Sequence, residues 1–134
     1  MALSPLLSCE FESIDLFNVD ATDIPPGLFR KHLYLKKFIF PKNLKSIGVF
    51  SFSDCLNLET VILPNTLEEI GKCAFEYCEK LNLILPNNVT RGKYTFNGCH
   101  NVHFSEIQNN NNATTNTPSK NVFSSVIDFI YSWF

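Results

Sequence analysis

The chain has 134 residues, of which 11 are basic and 13 are acidic, and its formal net charge is −2. This length suits a single domain, and the charge balance offers no basic surface of the kind that binds nucleic acid, so we expect no nucleic-acid partner. Hydrophobic residues make up 45% of the chain and charged residues 18%, a composition that excludes disorder throughout.

Residues 1–21 are the first predicted element, an apolar segment with acidic residues interspersed. Residues 1–9 contain no Lys or Arg and too short an apolar run for a secretory signal. No stretch reaches the ~18 to 20 continuous apolar residues of a membrane-spanning helix. We therefore expect residues 1–21 to cap the fold, and we expect a cytoplasmic protein, or a cell-surface protein if a leader is missing.

A repeat with a period of 22–23 residues occupies residues 22–104, in about three and a half units. Pro41, Pro64 and Pro86 stand at equivalent places, and each unit then has a glycine four residues before a phenylalanine and a cysteine three residues after it. In a degenerate first unit, His32 takes the cysteine position. The recurring positions are Gly48, Gly71 and Gly92; Phe29, Phe52, Phe75 and Phe96; Cys55, Cys78 and Cys99; and Leu35, Leu58 and Leu81.

Units of this length cannot bury their own apolar faces, so they stack on one another into a solenoid. We expect the prolines to turn the chain, the glycines to permit tight corners, and the phenylalanine, cysteine and leucine positions to form ladders inside.

The segment LPNTLEEIGKCAFEYCEKLNLILP closely resembles a repeat of the BspA-type leucine-rich-repeat family, and the likeness covers about residues 24–104. The resemblance implies a right-handed superhelix, mainly β and turn, with short parallel strands on one face. It also implies an interaction or adhesion module. The last unit is one residue short, and Arg91 stands where Ile47 and Ile70 stand in earlier units, so we expect less regular packing there.

Short strands are predicted at residues 36–40, 59–63 and 82–85, because each run suits a strand and stops at a proline. Since side chains alternate along a strand, one set should face the core and the other should form an aliphatic stripe on the outer surface. This stripe serves β-propensity and sheet cohesion, is covered by the amino- or carboxyl-terminal segment, or binds a protein partner. The candidate partner-binding residues are Lys37, Ile39, Thr60, Ile62, Asn82 and Ile84.

The cysteines recur with the repeat, so we interpret them as small apolar core residues. Cys99, His100 and His103 come nearest to a metal-binding group, but their spacing is not that of a zinc site. His32, on the same ladder as Cys55, is the one histidine with a plausible thiol neighbour, and we interpret it as packing. Strong enzyme motifs are missing; we expect no catalytic residue, no cofactor and no metal.

Residues 105–120 form a polar tract rich in Asn and Thr, which predicts a linker. Residues 121–134 predict an amphipathic helix, with its apolar side formed by Phe123, Val126, Ile127, Ile130, Trp133 and Phe134. This helix could cap the carboxyl end of the solenoid, bind a partner, or support membrane-surface contact or self-association. The predicted function is a non-catalytic protein-interaction module; the alternatives are a membrane-surface or self-assembly element and a fragment of a longer repeat array.

Overall fold

The computed structural model describes residues 10–105. Nine short strands lie within these residues, and they form two parallel sheets. The five-stranded sheet has the order β1-β3-β5-β7-β9, and its strands are Ser13–Asp15, Lys37–Ile39, Thr60–Ile62, Asn82–Pro86 and Asn101–Ser105. The four-stranded sheet has the order β2-β4-β6-β8, and its strands are Asp23–Ile24, Ser46–Ile47, Glu69–Ile70 and Thr90–Arg91.

Each coil contributes one strand to the five-stranded sheet and one to the four-stranded sheet, which is the architecture of a solenoid. Phe38 is opposite Val61 in the first sheet, and Ile47 is opposite Ile70 in the second. Every strand pair is parallel. The predicted repeat solenoid with short parallel strands is therefore confirmed. The predicted carboxyl-terminal helix lies outside the described residues.

The strands differ from the prediction in extent and number. Those predicted at residues 36–40 and 59–63 are shorter, at Lys37–Ile39 and Thr60–Ile62, whereas β7 runs on to Pro86. Strands β1 and β9 at the two ends, and the whole four-stranded sheet, were not predicted. Two-residue strands such as β4 and β6 are too short to show any alternation of side chains.

A ladder of phenylalanine rings runs through the interior. The rings of Phe29 and Phe52 stack with centroids 5.2 Å apart, those of Phe52 and Phe75 with centroids 5.2 Å apart, and those of Phe75 and Phe96 with centroids 5.7 Å apart. The first three are buried, and Phe96 packs half-buried against the same core cluster. Such pairs stabilise a core by about 0.5 to 1.5 kcal/mol each beyond the area they bury.

The repeated glycines allow close stacking and do not form the tight corners that we expected. A Cβ on Gly48 would lie 2.6 Å from the Ile24 carbonyl oxygen, and one on Gly71 would lie 2.7 Å from the Val49 nitrogen. A Cβ on Gly92 would be as tightly placed, 2.5 Å from the Lys72 nitrogen. The coil-to-coil distance at this point of the repeat therefore leaves no room for a side chain.

The tight corners are formed instead by residues with positive φ at two recurring positions. Gly27, Phe50, Cys73 and Tyr94 hold the first, and Lys31, Asp54, Tyr77 and Gly98 hold the second, with φ between 55° and 79°. Each costs a non-glycine residue roughly 1 to 2 kcal/mol. Hydrogen bonds to the next coil offset this cost: Phe50 N–H donates to the Lys72 carbonyl and Asp54 N–H to the Glu76 carbonyl.

The last coil packs less regularly than the coils before it, as the sequence indicated. Arg91 keeps the backbone register opposite Ile70, but its side chain is exposed, with its guanidinium carbon 4.1 Å from the centroid of the Phe104 ring. Cys99 and Val102 are only half-buried at this end.

Candidate functional site: the outer strand face

The outer strand face is the surface of the five-stranded sheet that points away from the phenylalanine ladder. Strand alternation and register place two rows of side chains on it. The isoleucine row consists of Asp15, Ile39, Ile62, Ile84 and His103; the polar row consists of Ser13, Lys37, Thr60, Asn82 and Asn101. All six candidate partner-binding residues from the sequence analysis lie in these two rows.

The isoleucine row is only partly exposed, in contrast to the continuous outer stripe that the alternation pattern indicated. Ile84 is 38% exposed, whereas Ile39 is 1% exposed and Ile62 is 4% exposed. Neither Ile39 nor Ile62 belongs to the hydrophobic core cluster. Lys37 and Thr60 are half-buried beside them.

The open half of the outer strand face, on β7 and β9, consists of four exposed residues. Asn82 and Ile84 come from β7, and Asn101 and His103 come from β9. Sequence reasoning missed the two β9 residues because it did not predict that strand. The signal was available: Val102 and Phe104 alternate with Asn101 and His103 in the same way that Leu83 and Leu85 alternate with their neighbours.

Two shallow grooves follow the proline corners beside this face. One, of about 290 Å³, is lined by Phe17, Phe40, Lys42, Ile62, Leu63, Pro64, Asn65 and Thr66. The other, of about 240 Å³, is lined by Leu63, Pro64, Asn65, Leu67, Leu85, Pro86, Asn88 and Val89. Both lie at or below the lower end of the ~300 to 1,000 Å³ typical of small-molecule pockets.

The family assignment rests on a match over most of the chain. The sequence profile described as "BspA type Leucine rich repeat region" matches residues 22–130 in 6 copies. The chain belongs to this family. The matched range runs beyond residue 104 into the segments predicted as linker and terminal helix, whose boundaries stay predictions.

Solved structures of bacterial leucine-rich-repeat proteins are similar to this BspA-type solenoid. A leucine-rich-repeat protein of T. pallidum matches with 21% identity and a TM-score of 0.59, over 70% of this chain and 59% of its own. One from Bacteroides capillosus matches with 24% identity and a TM-score of 0.57, over 73% of this chain and 78% of its own. At this identity, both show the fold alone.

A third similar structure carries a description of location. It is a leucine-rich cell surface protein from Faecalibacterium prausnitzii, 28% identical with a TM-score of 0.56, over 63% of this chain. This chain spans 23% of that protein's length and 59% of the T. pallidum protein's length. No curated protein sequence matches the chain at a significant level.

The cysteines of the BspA-type coils act as interior hydrogen-bond donors. Cys55 Sγ donates to the Phe29 carbonyl at 3.1 Å, Cys78 Sγ to the Phe52 carbonyl at 3.1 Å, and Cys99 Sγ to the Phe75 carbonyl. A hydrogen bond with Cys55 and burial raise the pKa of the Cys78 thiol, and burial raises the pKa of Cys99 to about 11. These two thiols therefore stay protonated at neutral pH, unlike a nucleophilic cysteine.

His32 holds the cysteine position of the first coil without a cysteine's hydrogen bond. Its side chain is 1% exposed, and neither ring nitrogen has a hydrogen-bond partner within residues 10–105. Because the Cys55 thiol donates to the Phe29 carbonyl, no hydrogen-bonded thiol–imidazole pair forms in this part of the chain. Burial lowers the pKa of His32, so the ring is neutral at neutral pH.

Residues 10–105 contain neither a metal-ligand cluster nor a membrane-spanning helix. No group of three or more His, Cys, Asp or Glu side chains there is arranged to hold a metal ion. Over the same residues, no helix is both long enough and apolar enough to span a membrane.

Proposed function

We propose that this chain is a non-catalytic module that binds a protein partner through its outer strand face. The observation that supports this is the open half of that face, where Ile84 is 38% exposed between polar neighbours. An exposed aliphatic side chain beside groups that donate and accept hydrogen bonds is suited to contact with a protein surface, where apolar and polar groups alternate.

The shape of the surface also favours a protein partner. Asn82, Ile84, Asn101 and His103 come from two adjacent parallel strands, which lie about 4.8 Å apart. A flat surface of this kind can contact a polypeptide over its length. Solenoid proteins commonly use such extended repeat surfaces for binding.

The cellular location of this chain is a separate proposal. The sequence predicts a cytoplasmic protein, and the F. prausnitzii protein of similar structure is described as a cell surface protein. We propose to decide between them by labelling intact cells of the source organism with a membrane-impermeant biotin reagent. Labelling of this chain only after lysis supports the cytoplasmic location, and labelling of intact cells supports the surface.

Paired charge substitutions test the binding surface. Ile84→Asp places a charge on the open half, and Leu56→Asp is the matched control, because Leu56 is 39% exposed and lies in a turn away from this face. We expect Ile84→Asp to reduce the recovery of the partner from cell extract at least tenfold, and Leu56→Asp to leave it unchanged. Recovery is measured by affinity capture with quantitative mass spectrometry.

Folding is checked in both variants by far-UV circular dichroism and thermal unfolding. Because both sites are exposed, we expect neither signal to change. Equal recovery with the two variants, or a loss confined to Leu56→Asp, would show that the outer strand face is not the binding surface.

A further inference from the structure

We propose that Asn97 in the last coil is a site of spontaneous deamidation, at which the asparagine converts into isoaspartate and aspartate without an enzyme. Asn97 and Gly98 form the one Asn-Gly dipeptide of the chain. Asn97 is exposed to water, and Gly98 has no side chain that hinders a reaction at its backbone nitrogen. The dipeptide lies at a corner that recurs along the solenoid, so the molecule contains equivalent positions for comparison.

The reaction takes place between the side chain of Asn97 and the backbone of Gly98. The Gly98 nitrogen attacks the side-chain carbonyl carbon of Asn97, a C–N bond forms, and the side-chain nitrogen leaves as ammonia with the proton of the Gly98 N–H. The product is a five-membered succinimide ring. Water then opens the ring at either carbonyl, which gives aspartate or isoaspartate. One water is consumed and one ammonia is released, so the reaction needs no other reactant.

The backbone N–H of Gly98 differs from those at the same corner of the earlier coils. In each of those coils, the corner N–H donates to a carbonyl of the next coil at 2.7 or 2.8 Å: Lys31 to Ser53, Asp54 to Glu76, and Tyr77 to Asn97. Gly98 N–H has no such partner among residues 10–105. A nitrogen held in a hydrogen bond must lose that bond before it can turn onto a side chain. Gly98 is therefore the corner residue whose nitrogen is most available to react.

The surroundings of the dipeptide also permit the backbone rotation that ring closure requires. Cys99 and Val102 beside it are only half-buried, and glycine moves between positive and negative φ at little cost. Every other asparagine of residues 10–105 precedes a Val, Leu, Thr or Asn, whose side chain obstructs the attack. We expect those asparagines to remain unchanged.

Conversion of Asn97 loosens the corner between the last two coils. The Asn97 carbonyl accepts the N–H of Tyr77, which has a φ of 61°. In isoaspartate the main chain runs through the former side chain and is one CH₂ longer, so this carbonyl no longer belongs to the main chain. In aspartate, a carboxylate replaces the amide that donates to Glu76 at 3.5 Å, and the two like charges repel each other.

Incubation of the isolated full chain at mildly alkaline pH tests the site, because the reaction needs no partner. We expect Asn97 to convert at least tenfold faster than any other asparagine of residues 10–105, with isoaspartate as the main product. Mass spectrometry of proteolytic peptides measures the conversion, and electron-transfer fragmentation distinguishes isoaspartate from aspartate. Asn97→Gln is the control, because glutamine must close a larger ring and should remain unchanged. Conversion of Asn97 no faster than that of the other asparagines would overturn the proposal.

A double variant separates the effect of the corner from that of the dipeptide. Arg30→Asn combined with Lys31→Gly places the same dipeptide at the first corner, where the N–H of residue 31 donates to the Ser53 carbonyl. Both replaced residues are exposed, and glycine suits the φ of 59° at position 31. In the folded chain, position 30 should convert at least fivefold more slowly than position 97, and in concentrated urea the two rates should converge.

Equal rates at positions 30 and 97 in the folded variant would show that the free N–H of Gly98 does not determine the reaction. Circular dichroism checks that the variant folds; if it does not, the comparison of Asn97 with the other asparagines decides.

Urea unfolding measures the consequence for the last coil. The incubated chain, once Asn97 has converted, should unfold at a lower urea concentration than the fresh chain. The Asn97→Gln chain, incubated in the same way, should unfold at the same concentration as before. An unchanged unfolding midpoint in the converted chain would contradict the loosening of the corner.

Discussion

At the scale of single residues, the first coil differs from the later ones at His32. Later coils place a cysteine at this position, and Cys55, Cys78 and Cys99 each donate to the carbonyl of the phenylalanine one coil before. His32 has no such partner within residues 10–105. A buried imidazole without hydrogen bonds is stable only in its neutral form, since burial opposes the charge.

The stability of the fold should therefore depend on pH through His32. Burial lowers its pKa in the folded chain below the ordinary value of 6.5, so the unfolded chain binds a proton first as the pH falls. Stability is full above about pH 6.5, decreases as the pH drops through that value, and levels off below the lowered pKa. Urea unfolding at a series of pH values measures this.

The matched substitutions are His32→Cys, the residue of later coils, and His100→Ala at an exposed position. His32→Cys should reduce the loss of stability between about pH 7 and 5, whereas His100→Ala should retain it. An identical pH dependence in the unmodified chain and in His32→Cys would refute the assignment to His32.

At the scale of the coil, backbone contacts between coils determine the local conformation. Phe50 and Tyr77 adopt positive φ although neither residue type favours it. Their N–H groups donate to the carbonyls of Lys72 and Asn97 in the following coil. Contact between coils also determines the residue type at the glycine position. Adjacent backbones approach too closely there for any Cβ.

Gly71→Ala should consequently destabilise the solenoid by roughly 3 kcal/mol, near the upper end of the cost of overpacking. Its Cβ would meet backbone atoms at 2.7 and 2.9 Å, which cannot move without separating two coils. Gly27→Ala is the control: only its φ of 68° opposes a side chain, with no atom within 4 Å, and it should cost about 1 kcal/mol. Urea unfolding measures both, and an equal or smaller loss for Gly71→Ala would count against close coil stacking.

Features that recur with the period could be predicted from the sequence. Conformations that depend on contacts with neighbouring coils could not. Phe52, Phe75 and Phe96 could be aligned because the period fixes their positions, and the structure stacks them. The positive φ of Phe50 could not be predicted, because hydrogen bonds from another coil impose it against local preference. Alternation placed Ile62 on the outer face, but it carries no information about what covers that face.

At the scale of the whole molecule, the parallel coils combine a continuous core with one broad outer surface. The chain belongs to the BspA-type family, and its solenoid is similar to those of bacterial leucine-rich-repeat proteins. Its outer strand face divides into a buried part at Ile39 and Ile62 and the open half around Ile84. We propose that this open half binds a protein partner.

Site-specific photocrosslinking tests that claim most directly. A photoreactive phenylalanine analogue is placed at residue 84 in one full-length variant and at residue 56 in another, and each is irradiated in cells of the source organism. We predict a discrete protein adduct from position 84 and none from position 56. An adduct from position 56 alone, or from neither position, would contradict the account.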